Sequence, residues 1–303
     1  MIIAYGEVLW DILPTGKMLG GAVGNCAYRL HQLGTHVSLI SRIGDDELGH
    51  EALGILKDKE LPCPLLQIDQ KYPTGTVDVT ISSEGDADYQ INTGVAYDNI
   101  ELTNDLLEAA KSADVILFGN LIQRCEKSRN TLYSLIEAAP QALKIVDINL
   151  RKDCFTKETV LESVSRTDVL KLNLKEVSTV SELIGISSET KEDFCDQVSK
   201  KYNVSTILIT LGDDGIYAFD SKEGDIRLPG YNVKVADTVG AGDNFTAGFV
   251  HKRLLGESLE KCCMFANLIG SLVATKVGGM PSLTQKDIEN HQATHQLNQI
   301  KSI

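Results

Sequence analysis

The sequence DTVGAGDNFTAGFV at residues 237–250 places three small residues directly before an apolar helical pattern. The pattern predicts a helix over 243–255 that follows the loop Gly240, Ala241 and Gly242. Backbone N–H groups uncovered by such small side chains, together with the helix dipole, form a site for phosphate oxygens. Asp243 in the first helical turn would either cap those N–H groups or accept a proton from a hydroxyl that attacks a bound phosphate.

Short apolar runs alternate with amphipathic segments along most of the chain. The runs at 115–118 and 207–209 are apolar on both faces, as expected for parallel strands covered by helices on each side. The alternation predicts an α/β fold with three layers, α/β/α. Predicted strands are 2–6, 36–41, 114–119, 144–148, 169–172, 206–210 and 216–220. Predicted helices are 24–33, 47–57, 104–111, 127–138, 157–165, 191–201, 243–255 and 259–275.

One segment departs from this alternation. Residues 76–82 alternate apolar with polar, 83–86 read as a turn, and 87–93 form a second run. This pattern predicts an antiparallel hairpin with one solvated face. It is either an edge hairpin of the main sheet or a small projecting sheet that closes over a site as a lid.

Composition narrows the class of protein. The 303 residues, 43% of them hydrophobic and 23% charged, suffice for a large core and argue against a disordered chain. The 29 basic and 42 acidic residues give a net charge of −13, which argues against a general nucleic-acid binder. A single small anion remains possible as a ligand, because it needs only a local site and a metal ion.

The sequence shows no clear targeting segment, and its cysteines are typical of a reducing compartment. The seven cysteines are scattered without a C-x-x-C motif, which favours free thiols in a reducing compartment. The first residues lack a basic segment followed by a long apolar one, and no apolar run approaches a membrane span. We expect a cytoplasmic protein without a membrane partner.

Two common nucleotide motifs are missing. The sequence has no G-x-x-x-x-G-K-[ST], so it is not a P-loop NTPase. The G-x-G at 240–242 lacks the third glycine of the dinucleotide motif and does not follow the first strand, which disfavours a Rossmann site.

The segment 237–250 resembles the C-terminal signature of the PfkB (ribokinase-like) carbohydrate kinases. The string GGAVGNCA at 20–27, followed by IGDDELG at 43–49, resembles the N-terminal signature of that family, although Val23 stands where many members have a small residue or proline. An N-x-x-E at 173–176 and a T-x-G-x-x-G at 210–215 follow in the family's order. The resemblance implies one kinase domain over 1–303, with a ribokinase-like three-layer α/β/α sandwich and a small β-sheet lid near 74–93, to which 12–19 is a candidate addition.

Three further segments resemble the fructokinase branch: GEVLWDILP at 6–14, FGNLIQR at 118–124 and VDINLR at 146–151. The resemblance implies transfer of the γ-phosphoryl group of ATP to a primary hydroxyl of a small ketose, D-fructose first. Kinases for 2-keto-3-deoxygluconate and for ribosides or nucleosides carry similar strings and remain alternatives; Arg124 or Arg151 would supply the cation that an acid substrate needs. A non-catalytic sugar sensor on the same fold is the alternative outside enzymes.

For the sugar, Asp11 just past the first strand would lie at the edge of the sheet where ligands bind. A carboxylate suits two vicinal hydroxyls, with a solvated turn residue as the plain alternative. Trp10 would either stack on the sugar or fill the core, and we favour the core. The resemblance adds these sugar-site residues: Gly20, Gly21, Asn25, Asn149 and Arg151. A helix cap and a surface ion pair are the alternatives for Asn25 and Arg151, respectively.

For the nucleotide and its ions, the resemblance places Asn173 and Glu176 facing the phosphates, with Glu176 acting on Mg²⁺ through water. A surface glutamate on a helix is the alternative. Asp237 and the Val239 carbonyl match a monovalent cation site, K⁺ in particular, although Asp237 alone would also cap that loop. The remaining nucleotide residues are Thr210, Gly212, Gly215 and Asn267. The exposed face of the hairpin predicts a homodimer formed through the lid.

Overall fold

The computed structural model describes residues 1–81 and 87–300 of the chain. In chain order its strands are β1 (Ile2–Tyr5), β2 (Leu9–Leu13), β3 (Gly16–Gly20), β4 (Val37–Ile40), β5 (Arg42–Gly44), β6 (Gln67–Asp69), β7 (Gly75–Ile81), β8 (Ala87–Ile91), β9 (Val115–Gly119), β10 (Leu143–Asp147), β11 (Val169–Asn173), β12 (Thr206–Thr210), β13 (Ile216–Asp220) and β14 (Gly224–Leu228). Its helices are α1 (Ala22–Gln32), α2 (Glu47–Asp58), α3 (Asn104–Lys111), α4 (Glu126–Ala138), α5 (Lys157–Ser165), α6 (Leu174–Ile184), α7 (Lys191–Tyr202), α8 (Ala241–Leu254), α9 (Leu259–Ala274) and α10 (Gln285–Ile300).

The main sheet has eight strands in the order β14-β13-β12-β11-β10-β9-β1-β4. The six strands from β12 to β4 are parallel, and β13 and β14 continue the sheet antiparallel at one edge. Since the carboxyl ends of the parallel strands meet at one edge, the loops that follow β9, β10, β11 and β12 are brought together there.

Helices cover both faces of this sheet. Side chains of α3 to α7 pack in one hydrophobic cluster against one face, and side chains of α1, α2, α8 and α9 pack in a second cluster against the other. The predicted three-layer α/β/α sandwich is confirmed. Helices α6 and α10 and strands β5, β6 and β14 were not among the predicted elements.

A separate four-stranded sheet, which we call the lid sheet, has the order β3-β2-β7-β8. The predicted hairpin supplies β7 and β8, and its predicted turn at 83–86 lies outside the described residues. The sheet does not join the main sheet, so the edge-hairpin alternative is wrong. The inward residues Leu9, Val77 and Val79 are buried in the core with Tyr97 and Leu121.

Strands β2 and β3 correct one expectation. The sequence places Asp11 in a turn just past the first strand and offers 12–19 only as a candidate addition to the lid. Strands β2 and β3 instead form an antiparallel pair, and β2 also pairs with β7 in parallel, so both belong to the lid sheet. Trp10 on β2 is 2% exposed and its indole N–H donates to the Leu48 carbonyl, which confirms its assignment to the core.

All seven cysteines are free thiols, as predicted, and five of them are buried. None of the helices in the described part of the chain combines the length and the apolar content that a membrane crossing requires.

Candidate active site

A cavity of about 370 Å³ lies between the lid sheet and the carboxyl edge of the main sheet. It is lined by many of the residues that the sequence analysis predicted, although they come from eight different elements and loops. The predicted residues that line it are Asp11, Gly21, Asn25, Asn149, Arg151, Asn173, Thr210, Val239, Gly240, Gly242 and Asp243. Its apolar wall includes Leu9, Val77, Ile91 and Leu121.

A second cavity, of about 240 Å³, is lined by four of the six predicted nucleotide residues, whereas Asn173 lines the first cavity and Glu176 lines neither. Its lining includes Thr210, Gly212, Gly215, Ala241 and Asn267. The Asn267 amide donates to the Pro229 carbonyl. The two cavities share Thr210, Thr238 and Gly242, so they meet at the start of α8.

The N-terminus of α8 has no side-chain cap, unlike most other helices of the described chain. Side chains cap the N-termini of α2, α3, α5, α6, α7 and α9. The N-cap of α8 is Gly240, with φ +73°, and it makes no side-chain cap. A Cβ at Gly240 would lie 2.5 Å from Gly279 Cα, so the turn requires glycine for both its conformation and its packing.

Asp243 faces the first cavity from the first turn of α8. Its Oδ2 accepts a hydrogen bond of 2.8 Å from the Asn25 amide. Burial, and next the charge of Asp147, raise the pKa of Asp243 to about 6, while the Asn25 hydrogen bond lowers it. A carboxylate with a pKa near neutrality is suited to accept a proton from a substrate hydroxyl.

Asp11 reaches the cavity by a route that differs from the expected one. It lies on β2 of the lid sheet, opposite Met18, and not in a turn after β1. A Cβ at Gly20 would lie 2.9 Å from Asp11 Oδ2, so Gly20, which does not line the cavity, leaves room for that carboxylate. Burial raises the pKa of Asp11, and the charge of Arg151 opposes that rise.

Asn173 and Glu176 form a capping box at the start of α6. The Asn173 side chain accepts from the Glu176 N–H at 3.1 Å, and Glu176 Oε2 accepts from the Asn173 N–H at 2.8 Å. Glu176 Oε1 accepts from the Leu150 N–H at 2.7 Å, which joins α6 to the loop after β10. Glu176 is buried, so the alternative of a surface glutamate is wrong; burial raises its pKa.

Asp237 connects two loops beside α8. Its Oδ1 accepts from the Val239 N–H at 3.0 Å, and its Oδ2 accepts from the Gly278 N–H at 2.9 Å. The carboxylate therefore holds the 237–239 segment against the 277–279 segment, which is the loop-capping role weighed above.

Arg124 does not reach the cavity, in contrast to the expectation that it offers a cation to an acid substrate. Its guanidinium donates to both carboxylate oxygens of Asp98, at 2.7 and 2.9 Å, and to the Asn92 carbonyl at 2.7 Å. It thus anchors the segment after β8. Arg151 is exposed and lines the cavity.

Sequence reasoning missed two charged residues of the cavity wall. Glu7 is 3% exposed, its Oε1 accepts from the Ala22 N–H at the start of α1, and burial raises its pKa. Lys171 is 6% exposed and pairs with Asp147. Glu7 and Asp147 lie in the fructokinase-like segments 6–14 and 146–151, whereas Lys171 is the one polar residue in the strand run VLKL at 169–172.

Comparison with known proteins identifies the family of this chain. Residues 11–286 match the family described as pfkB family carbohydrate kinase. Fructokinase-1 of Oryza sativa subsp. japonica is 29% identical over 314 residues, which cover 93% of this chain and 94% of that protein.

Two solved structures are similar over almost the whole chain. An uncharacterized sugar kinase from Pyrococcus horikoshii, in complex with ATP, is 27% identical with a TM-score of 0.80, over 96% of this chain and 100% of the other. Fructokinase from Vibrio cholerae O395, in the form that binds fructose, ADP and calcium ion, is 22% identical with a TM-score of 0.80, over 96% and 98%.

A ribokinase-like α/β sandwich whose two cavities meet at an uncapped helix N-terminus defines a carbohydrate kinase. The chain belongs to the pfkB family of carbohydrate kinases, in its fructokinase-like branch.

Proposed function

We propose that this protein transfers the γ-phosphoryl group of ATP to a primary hydroxyl of a small ketose. The leading candidate substrate is D-fructose, which would be converted to fructose 6-phosphate. The observation that carries the proposal is the meeting of the two cavities at Gly242, with Asp243 facing only the larger one. The larger cavity takes the sugar, and the smaller one takes the nucleotide. A phosphoryl group that passes between them crosses the start of α8.

The sugar is held by groups that complement hydroxyls. The Asp11 carboxylate accepts from two hydroxyls, and the Asn25 amide and Asn149 donate or accept. Gly21 keeps the backbone close to the ring, because its φ of +108° and a Cβ position only 2.3 Å from the Glu7 carbonyl exclude any larger residue. The apolar wall of the cavity packs against the carbon face of the sugar.

Phosphoryl transfer needs little from the protein beyond position and charge. The N–H groups of Gly240, Ala241 and Gly242 donate to the equatorial oxygens of the transferring group, where negative charge spreads in the transition state. Asp243 accepts the proton of the attacking hydroxyl. The lid sheet covers the sugar and excludes water, which prevents simple hydrolysis of ATP.

The side-chain oxygens of Asn173 and Glu176 suit a hard cation, and Asn173 lines the larger cavity. Mg²⁺ binds oxygen ligands and keeps several waters. Both Glu176 oxygens already accept backbone N–H groups, so Glu176, with Asn173, would hold Mg²⁺ through water. When bound, the ion neutralises charge on the phosphates. Asp237 and the Val239 carbonyl would hold K⁺ beside the Gly240 turn.

A second substrate class has one specific observation in its favour. Arg151 lines the sugar cavity, and an arginine there suits the carboxylate of 2-keto-3-deoxygluconate. A riboside or nucleoside fits less well, because the wall of the cavity is aliphatic and offers no aromatic face to a base among the described residues. A sugar sensor would not require the Asp243 carboxylate.

A substrate panel tests the proposal. ATP consumption is measured with fructose, 2-keto-3-deoxygluconate, ribose and adenosine, for the wild-type protein and for Arg151→Gln. Fructose should give the highest kcat/KM. Preference for the acid sugar, lost in Arg151→Gln, would replace fructose as the substrate, and no turnover with any of the four would refute the proposal.

Assembly is the remaining part of the proposal. Asp78, on the outward face of β7, is exposed and pairs in register with the exposed Gln90 of β8. The lid sheets of two subunits would meet through this polar face and form a homodimer.

A further inference from the structure

The cavity wall contains a buried cation that the proposed function does not yet use. Lys171 Nζ donates to Asp147 Oδ1 at 3.0 Å and to Oδ2 at 2.8 Å. The two residues are register partners on the adjacent parallel strands β10 and β11. Their side chains are 8% and 9% exposed.

The ammonium lies against the start of α8. Lys171 Nζ is 3.1 Å from the position that a Cβ on Gly242 would occupy. Thr246 fixes the same region, because its hydroxyl oxygen lies 3.1 Å from both Asp147 Oδ2 and the Gly242 carbonyl oxygen, which share its one proton. Lys171 therefore faces the point where the sugar and nucleotide cavities meet.

The charges of Asp147, Asp243 and Glu176 all favour the charged form of this ammonium, whereas the start of α8 opposes it. The N-terminal end of a helix carries partial positive charge, so a cation beside it is repelled. A buried ion pair is itself weak evidence for stability, because desolvation offsets the attraction between the charges. Two positive groups that converge on one point are the arrangement expected of a site for a multiply charged anion.

The ammonium also has donor capacity left for such an anion. Lysine carries three N–H donors, and within the described residues Nζ donates to the two Asp147 oxygens. Burial alone would lower the pKa of Lys171, but the charge and hydrogen bonds of Asp147 raise it above its usual value. The side chain is therefore a permanent cation at neutral pH.

We propose that Lys171 is a further catalytic residue, whose ammonium contacts the transferring γ-phosphoryl group beside the α8 amides, and that Asp147 is the positioning residue that aims it. The contact strengthens as charge spreads over the phosphoryl oxygens. This inference rests on the proposed kinase function.

The test compares four variants with the wild-type protein. Lys171→Met removes the ammonium and keeps the length of the side chain. The double variant Lys171→Met/Asp147→Asn also removes the charge that the first change leaves unpaired. Lys144→Met is the matched control, because Lys144 lies at the opposite end of β10 and its ammonium donates to the Pro140 carbonyl. Asp147→Asn tests the positioning role.

Two measurements are made on each folded variant. We expect kcat to fall by about 10²–10³ in Lys171→Met and in the double variant, and to change little in Lys144→Met. Isothermal titration without sugar should show that the affinity for MgATP falls about tenfold or more while that for MgADP is kept, because only ATP carries the contacted group. Asp147→Asn should reduce the same preference for ATP.

Two results would overturn the inference. Recovery of kcat in the double variant would mean that the loss came from an unpaired Asp147 carboxylate, and equal loss of MgATP and MgADP affinity would indicate a structural role. Failure of the wild-type protein to phosphorylate any sugar would refute the proposed function. The titration would still decide whether Lys171 contacts the terminal phosphate.

Discussion

At the scale of single residues, the raised pKa of Asp243 suits a general base but lowers the stability of the folded protein. The partial burial of the Asp243 carboxylate and the charge of Asp147 both favour the protonated form. The free acid has a pKa of 3.8, whereas in the folded chain the value is about 6. The folded protein therefore binds this proton more tightly than the unfolded chain does, and ionisation above pH 6 opposes folding.

We predict that Asp243→Asn loses at least about 10² in kcat yet stabilises the protein at pH 7.5. Removal of the ionisable group should raise the free energy of unfolding by about 1–3 kcal/mol at that pH, with the lower values expected because the group is partly exposed. The gain should vanish below about pH 3, where the wild-type carboxyl is protonated in both states. Thermal unfolding at the two pH values, with the exposed Asp58→Asn as control, measures it; a variant less stable than wild type at pH 7.5 would contradict the argument.

The Asn25 hydrogen bond gives a second prediction at this scale. Because the Asn25 amide lowers the pKa of Asp243, Asn25→Ala should raise it. A base must be ionised to act, so kcat/KM for the sugar should fall as pH drops through about 6 in the wild type. In Asn25→Ala this acid limb should move to higher pH. A limb that stays in place would belong to another group, such as the phosphates of ATP.

At the scale of elements, the start of α8 depends on Gly240, which adopts a left-handed backbone conformation and also packs against Gly279. Gly240 and Gly256 both have φ +73°, but a Cβ at Gly256 meets nothing within 4 Å, whereas one at Gly240 would meet Gly279. Comparison of the two positions therefore distinguishes the cost of backbone strain from the cost of a steric clash. Alanine at either position carries the left-handed penalty of about 1–2 kcal/mol.

We predict that Gly256→Ala costs about 1–2 kcal/mol of stability and keeps full activity. Gly240→Ala should cost more, because the 279 segment must move, and should reduce kcat by about 10² because the amides shift. Urea unfolding and steady-state kinetics on both variants test the comparison. Equal effects would show that the contact with Gly279 does not fix the turn.

Much of the fold follows from local pattern, and particular residues show where pattern fails. Apolar runs such as ILI at 207–209 predict buried parallel strands because only helices on both sides can cover them. Strands β2 and β3 were missed because each has only five residues. In β2, apolar and polar residues do not alternate around Trp10 and Asp11, so the sequence does not distinguish this strand from a loop. Helix α6 was missed although its sequence is amphipathic, because its Asn173–Glu176 capping box was assigned to phosphate binding by the family resemblance.

The candidate site shows the same division. Asp243 and the glycines before it belong to one continuous stretch, so their proximity is local. Lys171 meets Gly242 only through the order of the main sheet and the packing of α8 on it. A lysine inside an apolar strand is nonetheless a usable signal, because burying it requires a partner such as Asp147.

At the scale of the whole molecule, the lid sheet decides how the site is closed. Its inward face is part of the core through Leu9, Val77 and Val79, so the sheet is held by packing as well as by its connections. Arg124 adds a second anchor through Asp98 and Asn92. The opposite face carries Asp78 and Gln90 toward solvent and is available to a second subunit.

We predict that the protein sediments as a dimer at micromolar concentration and that Asp78→Lys dissociates it. Reversing a charge on a polar face places like or unpaired charges across the contact, which costs several kcal/mol in a closed interface. Asp105→Lys, a change of the same kind on the exposed face of α3, should leave the dimer intact. A wild-type protein that stays monomeric by sedimentation velocity, or a dimer that both variants preserve, would place any assembly surface elsewhere than the lid. Since the inward face of the lid sheet is already buried within one subunit, a monomer would still have a covered sugar cavity, and its kinase activity would be expected to persist.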